Sequence, residues 1–595
     1  MEAPSSRLYD TSARLAAVPS PVLFALFFAA VALSHLTLLH LPYYWDEGGY
    51  YIPAALDFYR TGQLVPHFTN AHPPLPNILL GTLWHIVGFH ILATRLFVCA
   101  FAAAGLLGVF RLTQHLLDAN AAVTVTLLTA VYPIWFAQST LAHADIFAAA
   151  FTLIAFALYL PAHGASTLRR QITVATLFSL AALSKETSIL EPATLAALQL
   201  VLLIRDHRSP LLRRQHLGWI ATLSFPLLPL IAWFAYHHHV TGFTFGNPEY
   251  LRYNATANLT AAHILQSIRY RFLHLFWQRN IWLPILFALA CLFLPRRNFT
   301  SKNNVILSGA RNAQSKELRT TQNSLPFQEL SPSTVRIIAL LIAANWLAFS
   351  ILGGALLTRY LLPIYPLILI VCVDVWRSRT RWTPAFAALT AAAFLSALWL
   401  NPPTSFAPED NLTYRDMIVV DQEAIHFVAE HYPNATILTA WPVAADVFRP
   451  ELGYVSHPLK AISIEDFTLP QIRKAAREPA SYDTAIVFTT HFLTPSFRQY
   501  LMAHPNSPRG REFASTRDLT PTEIAAILGG RIVWRDDRNG EWAAVLRFNR
   551  SYAACVLPPP RPAEPRDRPR RDSSRRHSTV GGKRLEYTHA STPGA

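Results

Sequence analysis

PVLFALFFAAVALSHLTLLHLPYYWDEGGYY, residues 21–51, decides how the rest of the chain is read. Its first part, Pro21 to Pro42, is about as long and apolar as a bilayer core requires. It lacks a small-residue cleavage site after a short core, so an uncleaved membrane helix is expected. Tyr43-Tyr44-Trp45-Asp46-Glu47-Gly48-Gly49-Tyr50-Tyr51 then sets two adjacent carboxylates at the membrane boundary. Such groups are costly inside lipid and mark functional sites by default. The same pair suits a helix N-terminus, whose dipole favours acidic side chains, so a capping role stands beside the functional one.

With 595 residues, 52% of them hydrophobic and only 15% charged, the chain is too apolar for one soluble globule and reads as a multi-pass membrane protein. The formal charge of +15 lies in segments between hydrophobic runs and in the tail, where loop bias accounts for it without a nucleic-acid partner. Cys99, Cys291 and Cys372 sit in hydrophobic runs and Cys555 in the tail, with neither metal-ligand spacing nor a disulfide framework.

Four regions follow: a cytoplasmic arm at 1–20 with Arg7 and Arg14, a membrane part at 21–400, an outer α/β domain at 401–550 and a disordered basic tail at 551–595. Eleven helices are expected, at about 21–42, 91–113, 119–137, 146–163, 171–184, 188–204, 217–237, 281–295, 335–352, 359–376 and 382–400. The amphipathic stretch 48–61 is expected to lie in the interface, and 75–90 not to span. That parity puts the loops bearing Arg169 and Arg170, Arg205 to Arg214, Arg296 to Arg319 and Arg377 to Arg381 in the cytoplasm, as the positive-inside rule demands. It puts 401–595 outside.

The outer loop 238–280 follows three consecutive histidines, His237 to His239. Neighbouring residues on a helix or strand point in different directions, which favours interfacial anchoring over a metal cluster. The connector 296–334 is polar. Beyond Asn401, helices are expected at 415–432 and 469–478, strands at 435–440 and 484–490, and a hairpin at 531–548 turning on Asn539-Gly540.

With this orientation Asp46, Glu47, His72 before Pro73-Pro74, Arg95 and Asp145 all reach the outer face. Carboxylates with an arginine near a lipid surface suit a polar group carried on a lipid. Arg95 has the planar fork that matches a phosphate, or else snorkels to the headgroups.

The order of these residues carries a resemblance. An Asp-Glu pair after the first helix, an aromatic amphipathic segment, HPPL at 72–75, an Arg opening the next helix and a later outer Asp resemble the GT-C glycosyltransferases. The similarity is to the protein O-mannosyltransferase and lipid A aminoarabinose transferase group, over about 1–400 and most specifically over 43–100 and 138–146. The resemblance implies an α-helical polytopic membrane protein of GT-C type with a C-terminal soluble α/β domain. It implies transfer of a sugar from a polyprenyl-phosphate donor to a lipid, glycan or protein acceptor at the outer face of the inner membrane, with inversion. It makes Asp46 the catalytic base candidate, Asp145 the second outer acidic position of the catalytic set, and Arg95 the phosphate contact ahead of Arg359.

Glu47, His72 and Lys185 join the substrate-binding set. His72 stands where the aminoarabinose transferases carry Lys and the mannosyltransferases His, which leaves the acceptor open. Lys185 and Glu186 lie in a family-like loop, with an exposed ion pair as the alternative. No cofactor is expected, and a divalent metal is allowed but not indicated. The rival classes are a secondary transporter, whose ionisable residues belong near the midplane of repeated halves, and a non-catalytic envelope scaffold.

Overall fold

The computed structural model describes residues 17–65, 72–161, 167–246, 251, 259–297, 328–352, 356–402, 406–490 and 495–548, apart from 509, 512 and 514–516. The arm before residue 17, parts of the 238–280 loop, most of the 296–334 connector and the basic tail with Cys555 lie outside these residues.

The hydrophobic runs become helices, but polar and proline positions redraw their ends. The first run is helical only over Ser20–Ser34. His35 ends it, its ring nitrogens 2.8 and 2.9 Å from the carbonyl oxygens of Val31 and Phe136. The run expected at 119–137 divides into Ala119–Val131 and Pro133–Gln138, with Tyr132 extended before the proline. That expected at 217–237 consists of Pro210–Ser224 and Leu227–Thr241, joined at Phe225-Pro226. The run expected at 359 begins as a tight turn, Thr358–Leu361, and becomes an α-helix only at Tyr365–Arg379.

Against the eleven spans expected, four helices among the described residues are long and apolar enough to cross a membrane, or five if one bent pair counts as a span. Ser20–Ser34, Leu75–Val87, Ala119–Val131, Ala144–Tyr159 and Thr383–Ser396 are apolar but shorter. The stretch 75–90 is therefore a helix of 13 residues, too short for the roughly 20 that a perpendicular span needs. The 238–280 loop holds a helix that sequence reading missed, Ala261–Phe276. The chain then bends by 93° into Trp282–Leu292, with Arg279 and Asn280 at φ of 52° and 64°.

Ile91–Leu116 is the central helix, and small residues let it approach its neighbours closely. A Cβ on Gly108 would lie 2.8 Å from the Ile154 nitrogen, and one on Gly105 2.7 Å from the Trp135 ring. Arg95, near one end of this central helix, meets the Thr140 carbonyl in the segment that leads into Ala144–Tyr159.

The C-terminal part is a five-stranded mixed sheet in the order β2-β1-β3-β5-β4, with β1 Thr436–Ala440, β2 Lys460–Ile464, β3 Thr484–Phe488, β4 Arg531–Arg538 and β5 Glu541–Arg547. β1 runs parallel to β2 and β3, while β5 is antiparallel to β3 and β4. The hairpin turns at Asn539-Gly540, both at positive φ as such a two-residue turn requires. β2, an edge strand with exposed positions, was not anticipated. Thr413–His431 packs on the sheet. The Tyr43 amide donates to the Leu452 carbonyl at 3.0 Å, so the segment carrying Asp46 is tied to the C-terminal part.

Candidate active site at the helix ends

Asp46 precedes a π-helical turn, Glu47–Tyr51, and follows Trp45, whose φ of 39° is in the left-handed region. That geometry sends the two neighbouring carboxylates apart. Glu47 is fully buried and accepts from Arg95 Nη1 at 2.5 Å, the Ala142 amide at 2.6 Å and the Tyr44 amide at 2.8 Å. Arg95 is also buried and spends its remaining terminal donors on the carbonyls of Thr140 at 2.7 Å, Pro42 at 2.8 Å and Leu41 at 3.3 Å. The pair therefore staples the Asp46 turn to the 140–142 segment.

Asp46 faces a second cluster. Arg359, in the Thr358–Leu361 turn, donates through Nη2 to Asp46 and through Nη1 to Glu409, and its Nε lies 3.4 Å from Asp145 Oδ2. Asp145 occupies the first turn of Ala144–Tyr159, where the helix dipole favours a carboxylate. It accepts from Lys185 Nζ at 2.5 Å. Lys185 is the residue just past Leu168–Ser184 and lies 3.7 Å over the Tyr360 ring. A narrow cleft here is lined by Asp145, Lys185, Thr187, Glu191, Arg359 and Tyr360. Asp46 keeps 21% of its side chain exposed, against 2% for Asp145 and 4% for Arg359; it is the most open carboxylate of the cluster.

His72 stands beside this cluster, its Nδ1 2.9 Å from Glu186 and its ring stacked on Tyr51. Lys185 and Glu186 thus face different partners and do not form the exposed ion pair weighed from sequence. His237 Nδ1 lies 2.7 Å from the Phe243 carbonyl oxygen. Among the described residues no group of three or more His, Cys, Asp or Glu could hold a metal ion.

The structure thus gathers Asp46, Asp145, Lys185 and Arg359, sets His72 at their edge, and encloses Glu47 with Arg95 apart from them. The segment that supplies two of the four is also where the comparison with known families falls. Residues 71–233 match the family model described as dolichyl-phosphate-mannose-protein mannosyltransferase. That is a glycosyltransferase family, and the matched segment includes His72, Arg95, Asp145 and Lys185 but neither Asp46 nor Arg359.

No curated protein matches the chain in sequence. Similar solved structures include ArnT from Cupriavidus metallidurans bound to undecaprenyl phosphate, at 14% identity over 88% of this chain and 97% of that one, with a TM-score of 0.47. The same enzyme in the apo state matches at 15% over 89% and 98%, also with 0.47. The oligosaccharyltransferase AglB from Archaeoglobus fulgidus, in complex with an inhibitory peptide and a dolichol-phosphate, matches at 10% over 90% and 75%, with 0.39.

Around the mannosyltransferase-like segment, three contributors escaped sequence reading. Glu409 and Asp410 form a turn, Pro408–Asp410, that brings Glu409 to Arg359 and Asp410 to Thr358. Arg279, at the 93° bend, reaches to 4.0 Å from Asp410 and packs over the Phe406 ring. The Glu409-Asp410 pair carried a readable signal: two adjacent carboxylates ten residues past an apolar run are the pattern that singled out Asp46 and Glu47.

Proposed function

We propose that this chain is an inverting membrane glycosyltransferase that takes a sugar from a polyprenyl-phosphate donor and passes it to a lipid, glycan or protein acceptor. The observation that carries the reading is the convergence of Asp46, Asp145, Lys185 and Arg359 from four distant segments into one ion-paired cluster at helix ends, beside a cleft that Asp145, Lys185 and Arg359 line. The match to a family named for a dolichyl-phosphate-linked mannose donor supports a lipid-phosphate substrate.

The roles follow from exposure and charge. Asp46, the most open carboxylate, accepts the proton of the acceptor's hydroxyl or amine. That heteroatom attacks the anomeric carbon, the bond from this carbon to the phosphate oxygen breaks, and the electron pair leaves on the phosphate. Arg359 and Lys185 stabilise the departing charge, and Asp145 orients both cations. Arg95 is not the phosphate ligand in this reading, because its guanidinium is enclosed and paired with Glu47. Residues 21–400 carry the chemistry, the 401–550 domain lies on the outer side with the site, and the inner membrane houses the protein.

Mass spectrometry of envelope lipids, glycans and proteins from cells with and without the gene tests this directly. One class of molecule should lose one sugar when the gene is absent. Identical profiles under conditions where the protein is made would end the reading.

A further inference from the structure

The charge balance around Arg359 leaves no place for a phosphate. Asp46, Asp145 and Glu409 set three carboxylates against the two cations Arg359 and Lys185. A phosphodiester entering this cluster adds a further negative charge in a region closed to water, where like charges repel strongly. One carboxylate must leave or be neutralised.

The three are not equally free to do so. Asp145 is held by Lys185 and Arg359 together on a regular helix of 16 residues. Asp46 is the group the transfer needs beside the anomeric carbon. Glu409 rides on a three-residue turn, takes one guanidinium nitrogen that a phosphate oxygen could take instead, and has Arg359 as its only ion-pair partner among the described residues.

We propose that Glu409 is a placeholder for the donor phosphate: it occupies Arg359 in the unloaded protein and yields this position to the donor. The inference rests on the reading of Arg359 as a phosphate ligand. Glu409 is then a positioning residue that sets how tightly donor binds and takes no part in the transfer. Its turn leads directly into Thr413–His431, which packs on the C-terminal sheet.

The environment of Glu409 gives the placeholder a pH dependence. Burial, opposed by Arg359 and reinforced by Asp46 and Asp410, pushes its carboxyl up to about 7. Tyr44 also faces it, Tyr414 packs on the Tyr44 ring, and Asp145 and Arg279 stand behind Arg359 and Asp410. A phosphodiester stays singly charged across neutral pH, so the change with pH comes from the protein. Between pH 6 and pH 8 the neutral fraction of a group titrating near 7 falls from roughly nine tenths to one tenth, and donor affinity should weaken about tenfold.

The test is binding of farnesyl methyl phosphate, a sugar-free phosphodiester, to the purified full-length chain in detergent at pH 6 and pH 8. Wild type should bind about tenfold more weakly at pH 8. Glu409→Gln should bind at both pH values as wild type does at pH 6, and Glu409→Asp should regain the pH dependence. A wild-type affinity that does not change between pH 6 and pH 8 overturns the placeholder while leaving the phosphate site standing. So does a pH dependence that persists unchanged in Glu409→Gln. If the probe fails to bind wild type at either pH, the donor-site reading falls and the placeholder with it. Because the wild-type pH comparison needs no variant, poor folding of Glu409→Gln cannot shield the proposal.

Discussion

Asp46 and Glu47 share a peptide bond but not an environment: Asp46 meets Arg359 with 21% of its side chain exposed, while Glu47 is sealed against Arg95 at 2.5 Å. The left-handed Trp45 and the π-helical turn after it produce this divergence. One carboxylate is spent on holding the turn in place, and the other is left partly exposed beside Arg359. The capping role weighed for the pair is not what Glu47 does: neither carboxylate makes a side-chain cap bond to the helix that follows, and Glu47 instead binds Arg95 and the Ala142 and Tyr44 amides.

Glu47→Gln should be a folding variant. It leaves the Arg95 guanidinium buried without its counter-charge, and breaking one side of a buried ion pair costs about 3–5 kcal/mol. The expected result is a lowered thermal unfolding midpoint in detergent and reduced yield. A Glu47→Gln protein as stable as wild type but inactive would instead put Glu47 at the substrate.

Arg359→Lys should raise donor KM about tenfold or more. Arginine meets Asp46, Glu409 and Asp145 through three different nitrogens, a fan that a single ammonium cannot reproduce. Steady-state kinetics with varied donor and fixed acceptor read the effect. The same substitution at Arg95 should lower stability and leave donor KM of the surviving protein within about twofold, because that guanidinium does not reach the cleft. The opposite ranking would restore Arg95 as the phosphate contact.

Local pattern made the membrane class, the helical runs and the C-terminal hairpin legible, because hydropathy and turn chemistry act over a few residues. Asp46 and Asp145 were legible as carboxylates at helix ends. Partnership was not: Glu47 and Arg95 are 48 positions apart and Arg359 and Asp46 are 313 apart, and nothing in either neighbourhood says which cation faces which anion. Arg95 therefore ranked above Arg359 on its place at a helix start and on the family resemblance, neither of which reports its partner. Glu409 was missed because it was assigned to a soluble domain, although its acidic pair lies close to the membrane part. The helix at 261–276 was hidden in a loop rich in aromatic and basic residues whose apolar face is short.

Asp421→Asn should stabilise the C-terminal domain, and more so as pH rises. Asp421, Asp446 and Glu541 are buried together between Thr413–His431, Val443–Phe448 and β5, and burial holds all three carboxyls well above their ordinary range. In the unfolded chain they ionise near pH 4, so over the interval above that the folded state binds the extra proton. Stability then falls as pH rises, at about 1.4 kcal/mol per pH unit for each group that stays neutral when folded. Asparagine removes one such term. Chemical denaturation followed by tryptophan fluorescence should show little gain for Asp421→Asn at pH 4.5 and a clear gain at pH 7.5. An equal gain at both values would mean that the side chain is ionised in the folded protein.

Asp46→Asn should separate chemistry from folding. The leaving phosphate carries its own charge and Arg359 can stabilise it, so the reaction needs no general acid; one base for the acceptor proton suffices. In the unloaded protein Arg359 donates to Asp46. Asparagine keeps the shape and can still lie against the neighbouring groups, but it cannot take a proton. The variant is therefore expected to reach wild-type yield, to keep phosphodiester binding within about threefold, and to lose transfer by about two orders of magnitude or more, the usual scale for general-base assistance. Direct displacement also requires inversion at the anomeric carbon with no sugar ester on the enzyme. Near-normal transfer by Asp46→Asn, or a sugar trapped on a carboxylate with retained configuration, would move the base elsewhere and leave Asp46 as one more ligand of Arg359.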